Sequence, residues 1–229
     1  MTTLAAKMML ERSPLFRGLS PEIQGQIAAR AIQRSYAAGD VIFMRGDAGD
    51  ALYGVVSGKV RISAGATDGK EIFLNIMEPG DTFGEIALLD GGARTAAATA
   101  IVVSELVLIR REHFLEVLTH EPRFALELLR LCGERLRWTS GQAEDAALLD
   151  AGARLAKRLL NLGKLHGQRT DAGVALRISQ EELASFLGLS RQVVNQHLQG
   201  WRSQGWVDLG RGVVTVCNEG ALKVKAGMP

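Results

Sequence analysis

Residues 83–98 read Phe-Gly-Glu-Ile-Ala-Leu-Leu-Asp-Gly-Gly-Ala-Arg-Thr-Ala-Ala-Ala, which sets one acid and one base around a short apolar helical turn. Gly84 lets main chain approach a ligand closely, and the N–H groups that open the turn at Ile86, Ala87 and Leu88 are free to meet an anion. Arg94 offers parallel donors to two phosphate oxygens. Glu85, an acceptor when ionised, has the wrong sign for phosphate and suits a sugar hydroxyl. Glu85 and Arg94 can therefore divide a nucleotide between them. The competing reading is a surface ion pair beside a glycine-rich turn, and the surrounding sequence decides against it.

Upstream, glycines at 39, 46, 49, 54, 58, 65, 69, 80 and 84 punctuate short alternating runs such as Ala51–Val56 and Lys59–Ser63. Short strands with frequent turns indicate an antiparallel β-roll or barrel. Gly39–Arg110 resembles the cyclic-nucleotide-binding domain, and Phe83–Ala96 matches the phosphate-binding cassette of that family closely.

The chain of 229 residues is 47% hydrophobic and 23% charged, which suits two compact domains and argues against disorder. Lys7, Glu11 and Arg12 interrupt the start of the chain, so Met1–Leu15 lacks a secretory core. No apolar run approaches the ~18–20 residues of a membrane span. A cytoplasmic protein is expected. Cys132 and Cys217 lack metal-ligand spacing, and His113, His120, His166 and His197 are scattered without a nucleophile partner. No metal site, redox cofactor or enzymatic activity is expected. Residues 151–229 hold 11 Lys and Arg against 5 Asp and Glu, a balance of +6 within a chain whose total is +2. A basic C-terminal end fits a polyanionic partner.

A helix is expected over Pro21–Ile32, before the strands. After the strands end near Val107–Arg110 a long helix follows, with Pro122 in its first turn. Leu129, Cys132, Leu136, Thr139, Ala143 and Ala146 recur along it at spacings of three and four, the seam of a short coiled coil. A helix packed only on its own domain is the alternative. Thr139 breaches the apolar seam, and Ser140 stands beside it. If two such helices pair, both hydroxyls reach the dimer axis, where they meet the edge of a purine held in the pocket.

From Ile178 the chain reads Ser-Gln-Glu-Glu-Leu-Ala-Ser-Phe-Leu-Gly-Leu-Ser-Arg-Gln-Val-Val-Asn-Gln-His-Leu, a helix-turn-helix pattern. Ser179 with Glu182 forms a capping box, Gly188 supplies the turn and Ser190 caps the second helix. On that second helix Val194, Leu198 and Trp201 face the core, while Arg191, Gln192, Asn195, Gln196 and Gln199 form a polar face. Arg and Gln match base edges in a major groove. Trp206–Val216, turning at Gly210-Arg211-Gly212, reads as a β-hairpin wing whose tip residue Arg211 can touch phosphate.

Taken together these motifs resemble the CRP/FNR superfamily of transcription regulators over almost the whole chain. The fold implied is α+β: an N-terminal antiparallel β-roll (1–120), a long dimerisation helix with hinge (121–150) and a winged helix-turn-helix (151–229). By this resemblance Thr139 contacts adenine within its own subunit and Ser140 does so across the interface, with Asp150 and Gly152 near the hinge. Arg191 matches an arginine that reads guanine. Gln192 and Gln196 stand where the family's catabolite activators carry a glutamate and a second arginine, so base preference is expected to differ there. The partners implied are double-stranded DNA with a two-fold symmetric operator, a second copy of the chain and RNA polymerase, the last around Lys164–Gly173.

The implied ligand-binding set is Gly84, Glu85, Ile86, Ala87, Arg94, Thr95, Thr139 and Ser140; the implied DNA-binding set is Ser179, Ser190, Arg191, Gln192, Asn195, Gln196 and Arg211. Thr95 can bond the 2-amino group of a syn guanine, whereas Thr139 and Ser140 favour the 6-amino group of adenine. Two hydroxyls against one favour cyclic AMP as the allosteric ligand and leave cyclic GMP open. A nucleotide-sensing subunit acting through protein contacts, or a regulator with another effector, is the alternative.

Overall fold

In the computed structural model, which describes residues 4–65 and 71–228, the glycine-punctuated segment forms two four-stranded antiparallel sheets. Two helices come first, α1 (Leu4–Arg12) and α2 (Pro21–Arg30). Strands β1 (Ile32–Tyr36), β2 (Val41–Phe43), β3 (Ala51–Ser57), β4 (Val60–Gly65), β5 (Glu71–Met77) and β6 (Thr82–Phe83) follow. A short helix α3 (Glu85–Asp90) precedes β7 (Ala97–Ala100) and β8 (Ser104–Arg110). The sheet orders are β1-β8-β3-β6 and β2-β7-β4-β5. Gly69 lies outside the described residues.

The expected first helix is two residues too long. Ser20 caps α2 through Ile23 N–H and Pro21 opens it, but Ala31 is already extended and Ile32 pairs with Leu108 in the sheet. Helix propensity at Ile32 is overridden by a ladder partner.

Strands β3 and β8 are buried on both faces, and period-two alternation sorts their side chains between two cores. Ala51, Tyr53, Val55, Leu106 and Leu108 join Phe43, Val60, Met77, Phe83 and Ala98 inside the roll. Leu52, Val107 and Ile109 point the other way, against Met9, Leu10, Phe16, Phe114 and Phe124. A ten-residue helix, α4 (Arg111–His120), which the sequence pattern does not announce, comes before the long helix α5 (Pro122–Leu148). Phe124 anchors α5, with Phe16 stacked at 5.2 Å and Phe114 edge-on at 5.4 Å.

Beyond Phe124 and Leu128, α5 buries little in this chain: Leu126, Leu129 and Leu136 are 57%, 67% and 68% exposed. Thr139, Ser140, Ala143 and Ala146 are exposed as well, while Cys132 is half-buried.

The chain divides into two compact units, residues 1–70 with 74–136 and residues 71–73 with 137–229. The second unit continues with α6 (Ala151–His166), β9 (Gln168–Thr170), β10 (Gly173–Arg177), α7 (Gln180–Leu187) and α8 (Arg191–Ser203). It ends with β11 (Val207–Gly210), β12 (Val213–Val216) and α9 (Glu219–Lys225). Its sheet has the order β11-β12-β10-β9, so the expected hairpin is half of a four-stranded wing. The β9–β10 half has no sequence signature because Gln168-Arg169-Thr170 is polar throughout, leaving no alternating pattern. Among the described residues no helix is long and apolar enough to cross a membrane, and no cluster of three or more His, Cys, Asp or Glu is placed to hold a metal ion.

Candidate functional site

Gly84 decides the local geometry of the cassette. It caps α3 with φ 87°, a left-handed conformation that disfavours a side chain, and a Cβ there would lie 2.5 Å from Arg94 Nη1. Having no side chain, it leaves the opening N–H groups of α3 without a side-chain cap. Gly91, also left-handed, ends the helix after six residues.

Glu85 and Arg94 are not a surface pair. They are 1% and 3% exposed, and each has its own partners. Arg94 Nη1 donates to Gly84 O at 2.9 Å, and Nη2 donates to Ala51 O at 2.7 Å and reaches Asp50 Oδ1 at 3.5 Å. Its guanidinium lies 4.4 Å from the Phe43 ring centroid and 5.5 Å from that of Tyr53. Burial raises the pKa of the Tyr53 phenol, with Arg94 acting in the opposite sense. Glu85 Oε1 instead accepts from Arg135, whose second Nη donates to Thr82 O. Arg135 is thus a site residue that the sequence reading passed over. Its only signal was a basic position one turn before Thr139 on the same helix.

Two buried polar atoms are left without a partner in this site, Glu85 Oε2 and Arg94 Nε. A buried acceptor and donor of this kind carry a desolvation cost unless something binds them. Phe43, Ile62, Met77, Phe83, Gly84, Glu85, Ile86, Ala87, Arg94, Thr95, Ala96 and Arg135 enclose a cavity of about 70 Å³. Six of the eight expected ligand residues therefore share one cavity, with Thr95 exposed at its edge. Thr139 and Ser140 lie outside that lining, on the exposed part of α5. Acceptor, donor and uncapped helix start fit a sugar phosphate, and Arg135 lines the cavity beside Glu85.

In the second unit the helix-turn-helix is built from its caps. Ser179 accepts from Glu182 N–H at 3.1 Å while Glu182 Oε2 accepts from Ser179 N–H at 2.8 Å, which completes the capping box. Gly188 closes α7 at φ 61°, and Ser190 accepts from Val193 N–H at 3.3 Å to start α8. Val194, Leu198 and Trp201 are buried. Arg191, Gln192, Asn195 and Gln196 are exposed together on the opposite face, with Gln199 Nε2 3.4 Å from Asn195 Oδ1. Arg211 is exposed in the turn between β11 and β12. Trp206 precedes β11 rather than opening it; it stacks on Trp201 with centroids 6.2 Å apart and donates its N–H to Trp201 O at 2.9 Å, which fixes the wing to α8. Both serine hydroxyls are engaged within the motif, that of Ser179 with Glu182 and that of Ser190 with Val193 N–H.

A nucleotide-type pocket on a β-roll, a long helix and a winged helix-turn-helix define a ligand-sensing, DNA-binding regulator. Residues 33–121 match the cyclic nucleotide-binding domain family, and residues 153–224 match the Crp-like helix-turn-helix domain. The chain is 36% identical over 205 residues to the CRP-like cAMP-activated global transcriptional regulator of Mycobacterium tuberculosis, covering 88% of this chain and 91% of that one. It is 38% identical over 213 residues to the cyclic AMP receptor protein of Thermus thermophilus, covering 93% and 96%. Among solved structures it resembles the catabolite activator protein of T. thermophilus (36% identity, TM-score 0.55, 95% and 100% covered). It also resembles the c-di-GMP-responsive global regulator CLP of Xanthomonas campestris (25% identity, TM-score 0.77, 86% and 99% covered). The chain belongs to the CRP/FNR superfamily of transcription regulators.

Proposed function

We propose that this regulator is a homodimer switched by cyclic AMP. The observation that carries the reading is the pair of buried, unpartnered atoms, Glu85 Oε2 and Arg94 Nε, on one small cavity beside the uncapped start of α3. In this reading Arg94 and the α3 N–H groups hold the cyclic phosphate, Glu85 holds the ribose hydroxyl, and Arg135 orients Glu85. Thr139 and Ser140 read the adenine amino group, with Thr95 as the handle for cyclic GMP.

The seam Leu129, Cys132, Leu136, Thr139, Ala143 and Ala146, exposed in this chain except at half-buried Cys132, pairs with its copy in a second chain. Burying a leucine contributes about 1.5–3 kcal/mol, so Leu129 and Leu136 of both chains favour association. The domain assignment proposed is 1–120 for nucleotide, 121–150 for dimerisation and hinge, and 151–229 for DNA. Arg191, Gln192, Asn195 and Gln196 read bases in a major groove. Arg211, Ser179 and Ser190 sit at the backbone, Ser179 once released from Glu182. Two recognition helices set about one DNA turn apart, ~34 Å, meet a two-fold symmetric operator. Each tenfold preference of the ligand for that arrangement needs ~1.4 kcal/mol of differential binding. The segment Lys164–Gly173, which includes the exposed strand β9, is the proposed RNA polymerase contact.

Calorimetric titration of the nucleotide-free dimer with cyclic AMP, cyclic GMP and cyclic di-GMP tests the reading. Cyclic AMP should bind most tightly, and Thr139→Ala should lose more affinity for cyclic AMP than for cyclic GMP. Equal losses would remove the adenine contact, and absence of binding by a folded dimer would remove the nucleotide.

A further inference from the structure

Arg158 is a charged side chain buried in the second unit, 8% exposed, on the face of α6 that also buries Leu155 and Leu159. An apolar residue would fill such a position without desolvating a cation. Among the described residues no carboxylate is paired with the guanidinium: Asp145, the acid that acts on it, is taken by Lys157 at 2.6 Å. Burial accordingly lowers the Arg158 pKa from its ordinary value, with Asp145 opposing.

The guanidinium instead joins three helices. It lies 5.6 Å from the Trp138 ring centroid on α5 and 5.1 Å from that of Phe186 on α7. Nη2 donates to the Gln142 side-chain oxygen at 2.6 Å and reaches Phe186 O at 3.4 Å. Trp138 and Gln142 are one turn apart and so share a face of α5. Phe186 closes α7 just before the left-handed Gly188 of the helix-turn-helix. One turn back on α6, Arg154 Nη1 donates to the neighbouring carbonyl, Leu187 O, at 3.3 Å. Two cations therefore hold the carbonyl end of α7, where the helix dipole favours positive charge. A planar group that stacks and hydrogen-bonds in fixed directions accepts one arrangement of its partners, which a leucine would not impose.

We propose that Arg158 is the positioning residue that couples α5 to the helix-turn-helix: through Trp138 and Gln142 it senses the segment of α5 that carries Thr139 and Ser140, and through Phe186 it sets α7. The role of Thr139 and Ser140 in this coupling rests on the proposed nucleotide function. A displacement of α5 at Thr139 is felt at Trp138, the adjacent residue, and reaches the DNA-reading unit through one rigid stacked cation rather than through a yielding apolar contact.

The test uses the full-length dimer with Arg158→Met, which keeps the volume, together with Gln142→Leu and Gln142→Glu. Arg158→Met should bind cyclic AMP with native affinity, while the ratio of operator affinity with and without cyclic AMP falls about tenfold. Gln142→Leu should move that ratio the same way, and Gln142→Glu, which gives the cation a stronger acceptor, should preserve it. A native ratio in Arg158→Met, or a parallel decline of melting temperature, nucleotide binding and DNA binding, would reduce Arg158 to core filling and overturn the proposal. If the native protein ignores cyclic AMP, the nucleotide reading fails by itself, and the coupling is then judged by amide exchange in nucleotide-free protein. Residues 180–187 should exchange faster in Arg158→Met with residues 51–57 unchanged; native exchange at 180–187 would overturn it.

Discussion

Glu85 on the cassette helix accepts a hydrogen bond from Arg135, fifty residues further along the chain on α5. The ion pair ties the nucleotide-type pocket to the helix that bears the seam, so whatever competes for Glu85 acts on α5 directly. The Glu85 side chain is 1% exposed and that of Arg135 29%. The pair is therefore partly desolvated, and each partner is needed by the other. Arg135→Leu alone strands a buried carboxylate and should destabilise the protein by about 3 kcal/mol in denaturant titrations. Glu85→Leu combined with Arg135→Leu should recover most of that loss, a non-additivity that reports the pair.

Arg94→Leu removes donors from Gly84 O and Ala51 O as well as the phosphate grip. Chemical denaturation should show a loss of about 1–3 kcal/mol from the stranded carbonyls. Calorimetry should show cyclic-nucleotide affinity falling by at least about 100-fold, the equivalent of two charge-assisted hydrogen bonds. Native affinity would exclude Arg94 from the ligand.

Arg191 and Arg211 should separate base reading from phosphate contact. In competition binding on operator variants, Arg191→Ala should lose about 1–3 kcal/mol of discrimination at one base pair. Arg211→Ala should weaken all sequences alike and reduce the salt slope by about one unit.

Asp150 caps α6 through Ala153 N–H at 2.7 Å and meets Lys225 of α9 at 2.9 Å. The backbone hydrogen bond from Ala153, then Lys225, depresses its pKa below the ordinary 3.8. A depressed carboxylate pKa contributes stability that is present above the unfolded value and lost as pH falls through the folded one. Asp150→Ala should therefore cost about 0.5–2 kcal/mol at neutral pH, as expected for a lost helix cap, with the difference fading in acid below the unfolded value. Lys225→Ala, which breaks only an exposed pair, should cost about 0.2–1 kcal/mol. Melting curves across the acid range measure both.

Local sequence determined the elements whose signals are local. Gly84, Ser179, Glu182, Gly188 and Ser190 each dictate a backbone conformation or a cap within four residues, so the cassette turn and both helices of the helix-turn-helix were legible before any contact was known. The same holds for α5, where Pro122 and unbroken spacing suffice. Only the tertiary structure decided which atoms meet. Arg135 joins Glu85 from fifty positions away, Arg94 turns its Nη donors onto Gly84 and Ala51, Ile32 leaves its helix for Leu108, and Arg158 stacks between Trp138 and Phe186. The physical reason is common to all four. Burial makes an unpaired charge or ladder position costly, and the partner that removes that cost is set by the packing of distant segments, which no local pattern encodes.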